Sequence, residues 1–312
     1  LNADGSIDTT FNPGSGVGGG LDGGIRGVDI QSNGKVLICG DFTSYNGSAC
    51  KGLARINTDG SLDSTFSSAL TMNSSSFPEV RDIVVMTDGK IAVCGDFLKY
   101  VALLNADGSI DATFNPGTAV TSYSCSSVNV QVDGRIIVGY SDSGYFLKRL
   151  NTDGSVDSGF NAPGDLYLKD GKPILQSDGK IIVSRICTVS GEESDCPCRL
   201  KADGSFDSSF NPSSASVGGN AMAIQSDGKI LIRENDTGNI IRLDATGADD
   251  AGFRPFASNT YTAVVDGKIQ TYSGWICSIV VQPDGKILVG GEDSMMISFT
   301  GTSRNILARI IP

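Results

Sequence analysis

The chain contains no histidine among its 312 residues, which removes Ser-His-Asp and Cys-His nucleophilic arrangements at the outset. The chemistry left open is that of carboxylates. The candidates outside the repeated pattern described below are Glu192, Glu193, Asp195, Glu234, Asp236, Glu292 and Asp293, and two of them at glycosidase spacing could act on a glycan. Loop acids are usually just solvated, so the chain is expected not to be an enzyme. A secreted glycan-acting enzyme using paired carboxylates is the alternative.

A second chemical pattern is the recurring Asn-x-Asp-Gly-Ser-x-Asp, for example Asn57, Asp59, Ser61 and Asp63. It invites comparison with calcium loops, which supply six to eight oxygens, including an earlier carboxylate and a later bidentate Glu. Here the earlier position is Arg55, Arg149, Arg199, Arg242 or Arg309, with Leu103 in one copy, and no Glu follows at the required distance. A cation at that position opposes a second one. The pattern therefore reads as an Asx-type turn beside a repeated Arg–Asp contact such as Arg55 with Asp63. No metal or cofactor is expected.

Cysteines and aromatics complete the inventory. Cys187, Cys196 and Cys198 flank Ser190–Ser194, where a hairpin would bring Cys187 close to one of the other two. Three thiols without a histidine leave zinc short of a fourth ligand. A cross-strand disulfide is one reading, with Cys39–Cys50 and Cys125–Cys277 as further pairs, and an oxidising compartment would follow. The other reading is that several, notably Cys39 and Cys94 at one repeat position, are small core residues. Tyr261 and Tyr272 in the long segment Arg254 to Gly274, with Trp275, the sole Trp, next to it, could stack on sugar rings, although such a Trp more often packs between blades.

The elements that must position these residues follow from an internal repeat. Forty Gly, a charged fraction of 19% and short Val/Ile/Leu runs between Asp-Gly and Asn-Gly pairs point to an all-β chain. One signature runs from a strand through an Asp-Gly turn to a Phe, as in Ile56 to Phe66, and recurs ending at Phe11, Phe114, Phe160, Phe210 and Phe253. The other is a hairpin about Asn-Gly-Lys or Asp-Gly-Lys/Arg, with Gly34, Gly89, Gly134, Gly179, Gly228 and Gly285 where a primed turn needs positive φ. The arm after each turn is continuously apolar, for example Val36-Leu37-Ile38 and Ile136-Ile137-Val138. Such a strand is covered on both faces.

These signatures predict a six-bladed β-propeller of four-stranded antiparallel blades, one domain over residues 1–312. The C-terminal Leu307-Ala308-Arg309-Ile310 repeats the third-strand motif Leu53-Ala54-Arg55-Ile56, and the chain begins with the piece that should follow it. Residues 1–12 are thus expected to complete the last blade, closing the ring by pairing of N- and C-terminal strands. The start inside a repeat, without Met or a signal-peptide pattern, suggests a processed piece of a longer polypeptide.

The strings at 31–47 and 53–66 resemble the delta-60 repeat family of β-propellers, and the likeness extends over nearly the whole chain. The resemblance implies the fold and a setting among phage virion or bacterial surface or secreted proteins, without implying one activity. The formal charge of −11 opposes nucleic acid and anionic lipid, and no run approaches the ~18 apolar residues of a membrane span. The expected function is a noncatalytic binding or structural module of an extracellular assembly, either a phage tail or fibre component or a bacterial surface adhesion component. Its expected partners are other virion or cell-surface proteins and host surface glycan.

Overall fold

The structure is a computed structural model, which describes residues 2, 6–20, 24–73, 79–120, 124–141, 145–164, 166, 172–189, 192–212, 217–234, 240–253, 260–265, 268–273, 276–291, 296–299, 302–305 and 307–310. Every regular element among them is a β-strand. The chain divides into two compact units, Leu1–Phe160 and Asn161–Pro312.

The first unit holds three antiparallel meanders. Sheet one comprises Ile25–Ile30, Val36–Gly40 and Leu53–Ile56; sheet two comprises Glu79–Val85, Ile91–Asp96 and Val101–Leu104; sheet three comprises Ser124–Val130, Ile136–Ser141 and Tyr145–Leu150. The second unit repeats the plan. Sheet four comprises Ile174–Leu175, Ile181–Val189 and Glu192–Leu200; sheet five comprises Val217–Ile224, Ile230–Glu234 and Ile240–Leu243; sheet six comprises Ile276–Val281, Ile287–Gly291 and Leu307–Ile310. Two inserted hairpins, Thr260–Val265 with Lys268–Ser273 and Met296–Phe299 with Thr302–Asn305, interrupt the second unit.

The continuous apolar arms pack as their pattern demands. In Ile91–Asp96 successive side chains alternate between two cores: Ile91 and Val93 join Leu37, Cys39, Leu53, Val80 and Ile83 between sheets one and two. Ala92 and Cys94 join Cys125, Val128, Ile136 and Val138 between sheets two and three. Sheet five does the same in the second unit, with Ile230 and Ile232 turned to one core and Leu231 to the other. Each such buried aliphatic contributes roughly 1.5–3 kcal/mol. The repeat's Phe closes these cores, as Phe66, Phe114, Phe210 and Phe253 each belong to one.

The structure corrects three expectations. First, the sheets are three-stranded rather than four-stranded. The outer segment is reduced to a single bridge, Ile56↔Leu62, Leu104↔Ile110, Leu150↔Val156, Leu200↔Phe206 or Leu243↔Asp249. Its backbone is used locally: the Thr65 amide donates to Asp63 Oδ1 at 3.0 Å and the Phe66 amide to the Asp63 carbonyl at 3.2 Å, leaving too few groups for a ladder. Second, no terminal strand pairing appears among the described residues. Residues 6–12 form no strand, and the Asn12 amide donates to the Asp59 carbonyl at 2.8 Å, inside the next turn of the same unit.

Third, the hairpin turns are not primed. The Gly89 amide donates to the Met86 carbonyl at 2.9 Å, the Met86 amide donates to the Lys90 carbonyl at 2.8 Å, and only Gly89 has positive φ, at 87°. This is a type I turn closed by a Gly bulge, which keeps strand twist while asking one residue, not two, to enter the left-handed region.

Candidate functional site

The Arg–Asp contact expected from the repeat is present and does more than pair charges. Arg55 Nε meets Asp63 Oδ2 at 2.7 Å, and the same contact recurs as Arg149–Asp157 at 2.7 Å and Arg199–Asp207 at 2.8 Å. Arg242 continues the series with Asp250, through Nη2 at 2.8 Å. Each guanidinium also lies over the Phe three residues beyond its Asp: Arg55 on Phe66, Arg149 on Phe160 and Arg199 on Phe210 at 4.8 Å, and Arg242 on Phe253 at 4.4 Å. The third direction is outward. Arg55 Nη1 donates to the Ala106 carbonyl at 2.5 Å and Arg199 Nη1 to the Ala245 carbonyl at 2.6 Å, each in the turn before the recurring Gly (Gly108 or Gly247) of the following repeat. One buried cation therefore holds an outer segment, a core ring and the next turn together. The Asx reading of that turn also holds, since Asp59 Oδ1 accepts from the Ser61 amide at 2.9 Å.

These carboxylates respond accordingly. The Lys90 ammonium, followed by the Thr113 hydroxyl and amide, holds Asp111 down at about 2. The Ser209 hydroxyl, with the Ser209 amide and Arg199, holds Asp207 down at about 2 against the cost of burial. A carboxyl whose pKa is depressed by folding stabilises the native state above its unfolded value, 3.8 for Asp, and that contribution vanishes as pH falls through the folded value. Melting temperature is therefore expected to be level from neutral pH down to about 5 and to fall between about 4 and 2. Thermal melts followed by far-UV circular dichroism across that range check this, and an Asp207→Asn variant should melt with a shallower acid dependence.

Of the residues read as a ligand platform, Tyr261 and Tyr272 are direct register partners across the inserted hairpin. Trp275 lies outside the described residues. The acids do not all occupy loops. Glu192, Glu193 and Asp195 fall on the strand Glu192–Leu200, opposite Val189, Thr188 and Ile186, because this hairpin runs to nine residues per arm. Glu234 ends the strand Ile230–Glu234, while Asp236, Glu292 and Asp293 lie outside the described residues.

The cysteine pairings change most. The strands Ile181–Val189 and Glu192–Leu200 pair, but their register sets Cys187 opposite Ser194, Cys196 opposite Arg185 and Cys198 opposite Val183. Bringing Cys187 opposite Cys196 would require a two-residue slip. The Cys39–Cys50 bridge is absent: both are thiols. Cys39 faces the core between sheets one and two, whereas Cys50 packs with Ile38, Phe42 and Tyr45 on the other side of the strand. Burial raises the Cys50 thiol pKa. Cys125 is likewise a thiol and buried with Cys94.

Three features escape sequence reading. Lys99 and Tyr100 both adopt positive φ, 73° and 61°, without being Gly, and Lys99 Nζ donates to Asn115 Oδ1 at 2.7 Å. Arg26 and Arg81, each at the bulge of its sheet's first strand, share Glu79 at 3.0 and 2.9 Å. Tyr140 and Phe146 stack at 5.6 Å with Lys148 over Tyr140. Only the Arg pair had a signal, as basic residues at equivalent positions of two repeats.

Comparison with known proteins gives the fold a context. The family model described as a domain of unknown function (DUF5122) beta-propeller matches residues 31–66, 87–114, 131–160, 176–210 and 282–310. No curated protein matches. Among solved structures, the extracellular domain of what is described as a hybrid two component system from B. thetaiotaomicron superposes at a TM-score of 0.56 and 14% identity, covering 98% of this chain and 34% of that one. The extracellular domain of what is described as a one component system from the same organism gives 0.53 and 12%, covering 96% and 39%. A streptogramin B lyase gives 0.52 and 16%, covering 85% and 90%. The chain thus spans little more than a third of the two extracellular domains it matches. At such identities the likeness is one of fold.

That likeness overturns the expectation that the chain is not an enzyme. A lyase is built on the same fold, so the scaffold is no argument against catalysis. The missing histidine excludes the arrangements that need it and nothing more.

Proposed function

This chain belongs to the DUF5122 β-propeller family, and we propose that it is a binding module of an extracellular assembly, a phage tail or fibre component or a bacterial surface adhesion component. The ligand class is host surface glycan, taken at the inserted hairpin over 260–273. The carrying observation is the direct pairing of Tyr261 with Tyr272 in an insertion that breaks an otherwise regular repeat. A site for one ligand must break the symmetry that the scaffold residues obey, and tyrosine is a residue type that suits sugars, with an apolar ring for C–H groups and a hydroxyl that hydrogen-bonds. Trp275 follows the second arm by two residues in the sequence. The fold likeness to extracellular domains supports the location.

A glycan array with the full chain tests this, followed by titration of the best ligand against Tyr261→Ala and Tyr272→Ala. Selective retention by the wild-type chain and a loss of about tenfold or more in affinity, ~1.4 kcal/mol, in each variant are expected. Retention that survives both substitutions moves the site elsewhere. Release of shortened glycan from the array would instead identify the enzyme reading, with paired carboxylates as its machinery.

A further inference from the structure

The repeat geometry brings two thiols of neighbouring sheets into one core. In each meander of the first unit the first strand carries a bulge, and the register-paired residue before it is Ile25 in sheet one, Val80 in sheet two and Cys125 in sheet three. The fourth residue of the second strand is Cys39 in sheet one and Cys94 in sheet two. Stacking sets the pre-bulge residue of one sheet in the same core as that fourth residue of the sheet before it. Cys39 thus shares its core with Val80, and Cys94 shares its core with Cys125. Only the second of these contacts puts sulfur on both sides. The two side chains are fully buried, each with no exposed surface, and they belong to one core. A further tie fixes the same two strands, because the Val128 amide donates to Asp82 Oδ2 at 2.8 Å.

We propose that Cys94 and Cys125 are the chain's inter-sheet disulfide site, stapling sheet two to sheet three. In the reaction one thiolate attacks a low-molecular-weight disulfide such as oxidised glutathione and expels one glutathione thiolate. The second cysteine thiolate then attacks the mixed disulfide and expels the other. Two thiols lose two protons and two electrons, and the oxidant is reduced to two thiols. Burial in an apolar core raises the Cys94 pKa well above the ordinary thiol value, with the Cys125 thiol and Asp82 adding to the effect. The folded dithiol is therefore a poor nucleophile. Oxidation belongs to the folding chain, before the core closes, and the bond once buried is shielded from exchange. The pairing is a property of the stacked sheets and does not depend on the ligand or location proposed above.

The test is peptide mapping of the full chain refolded in a glutathione disulfide buffer, alkylated after denaturation and cut with trypsin without reduction. Cleavage at Lys90, Lys99 and Arg135 places Cys94 alone in the peptide 91–99 and Cys125 alone in the peptide 100–135. The expected product is these two peptides linked, lighter than their sum by two hydrogen atoms. The oxidised chain should also melt on the order of 5 °C above the reduced one. Cys125→Val supplies the residue that occupies the equivalent place as Val80, so this variant should fold and lose the redox dependence of its melting. Full alkylation of both cysteines in the refolded chain, or linkage of either to another cysteine, would overturn the assignment, and the mapping reads this whether or not the variant folds.

Discussion

Replacing Asp63 with Ala is expected to destabilise the chain by about 3–5 kcal/mol, the range for removing one partner of a buried ion pair. Asp63 is 4% exposed and receives Arg55 Nε at 2.7 Å and Lys35 Nζ at 2.6 Å. It also accepts from the Thr65 amide and hydroxyl at 3.0 and 2.7 Å. Its loss leaves a guanidinium buried between Phe66 and the Ala106 carbonyl without its hydrogen-bonded carboxylate. The size of the effect comes from that stranded cation more than from the attraction lost, so the double variant Asp63→Ala with Arg55→Met should recover part of the loss. Urea unfolding followed by fluorescence or circular dichroism measures both. A cost below about 1 kcal/mol, typical of exposed pairs, would refute the view that this Asp organises the repeat. The corresponding Asp8 of the N-terminal copy provides a comparison. Among the described residues it accepts from Thr10, and Asp8→Ala should be far milder.

The same cluster shows what was legible in the sequence. Arg55 and Asp63, eight residues apart and repeated, announced their contact because both chemistry and spacing recur. The alternate cores were legible too, since an unbroken run such as Ile91-Ala92-Val93-Cys94 has no solvent face to offer. The expected fourth strand is absent for a physical reason: Leu62 to Phe66 has strand-like spacing, but Asp59 and Asp63 draw the nearby amides into turns. Cysteine pairing depends on which face of a strand each residue occupies. Cys39 and Cys50 are close in sequence yet face different cores, while Cys94 and Cys125 meet only because neighbouring sheets stack in register. The candidate ligand site was visible as a break in the repeat with aromatic residues. The cross-strand pairing of Tyr261 with Tyr272 required the hairpin's register, which an insertion without a repeat partner does not reveal.

The glycines of the hairpin turn and of the outer turn carry different constraints, which predict a difference between two superficially equal substitutions. Gly89 and Gly154 both have positive φ, 87° and 88°. A Cβ at Gly89 would have nothing within 4 Å, whereas at Gly154 it would lie 2.6 Å from the Asn115 carbonyl carbon and 2.8 Å from the Pro116 nitrogen. These are backbone atoms of the segment that leaves the preceding repeat, held there by the Asn115 amide donating to the Asp153 carbonyl at 2.8 Å. Gly89→Ala should therefore cost only the left-handed strain of an L-residue, roughly 1–2 kcal/mol. Gly154→Ala bears the same strain and must also push two backbones apart. Its cost should exceed that of Gly89→Ala by about 1–3 kcal/mol, the range for overpacking a well-filled contact. Denaturant midpoints of the two variants, compared at unchanged m-value, measure this difference directly. Equal costs would mean that the turn does not bear on its neighbour, and the glycine would then be retained for φ alone.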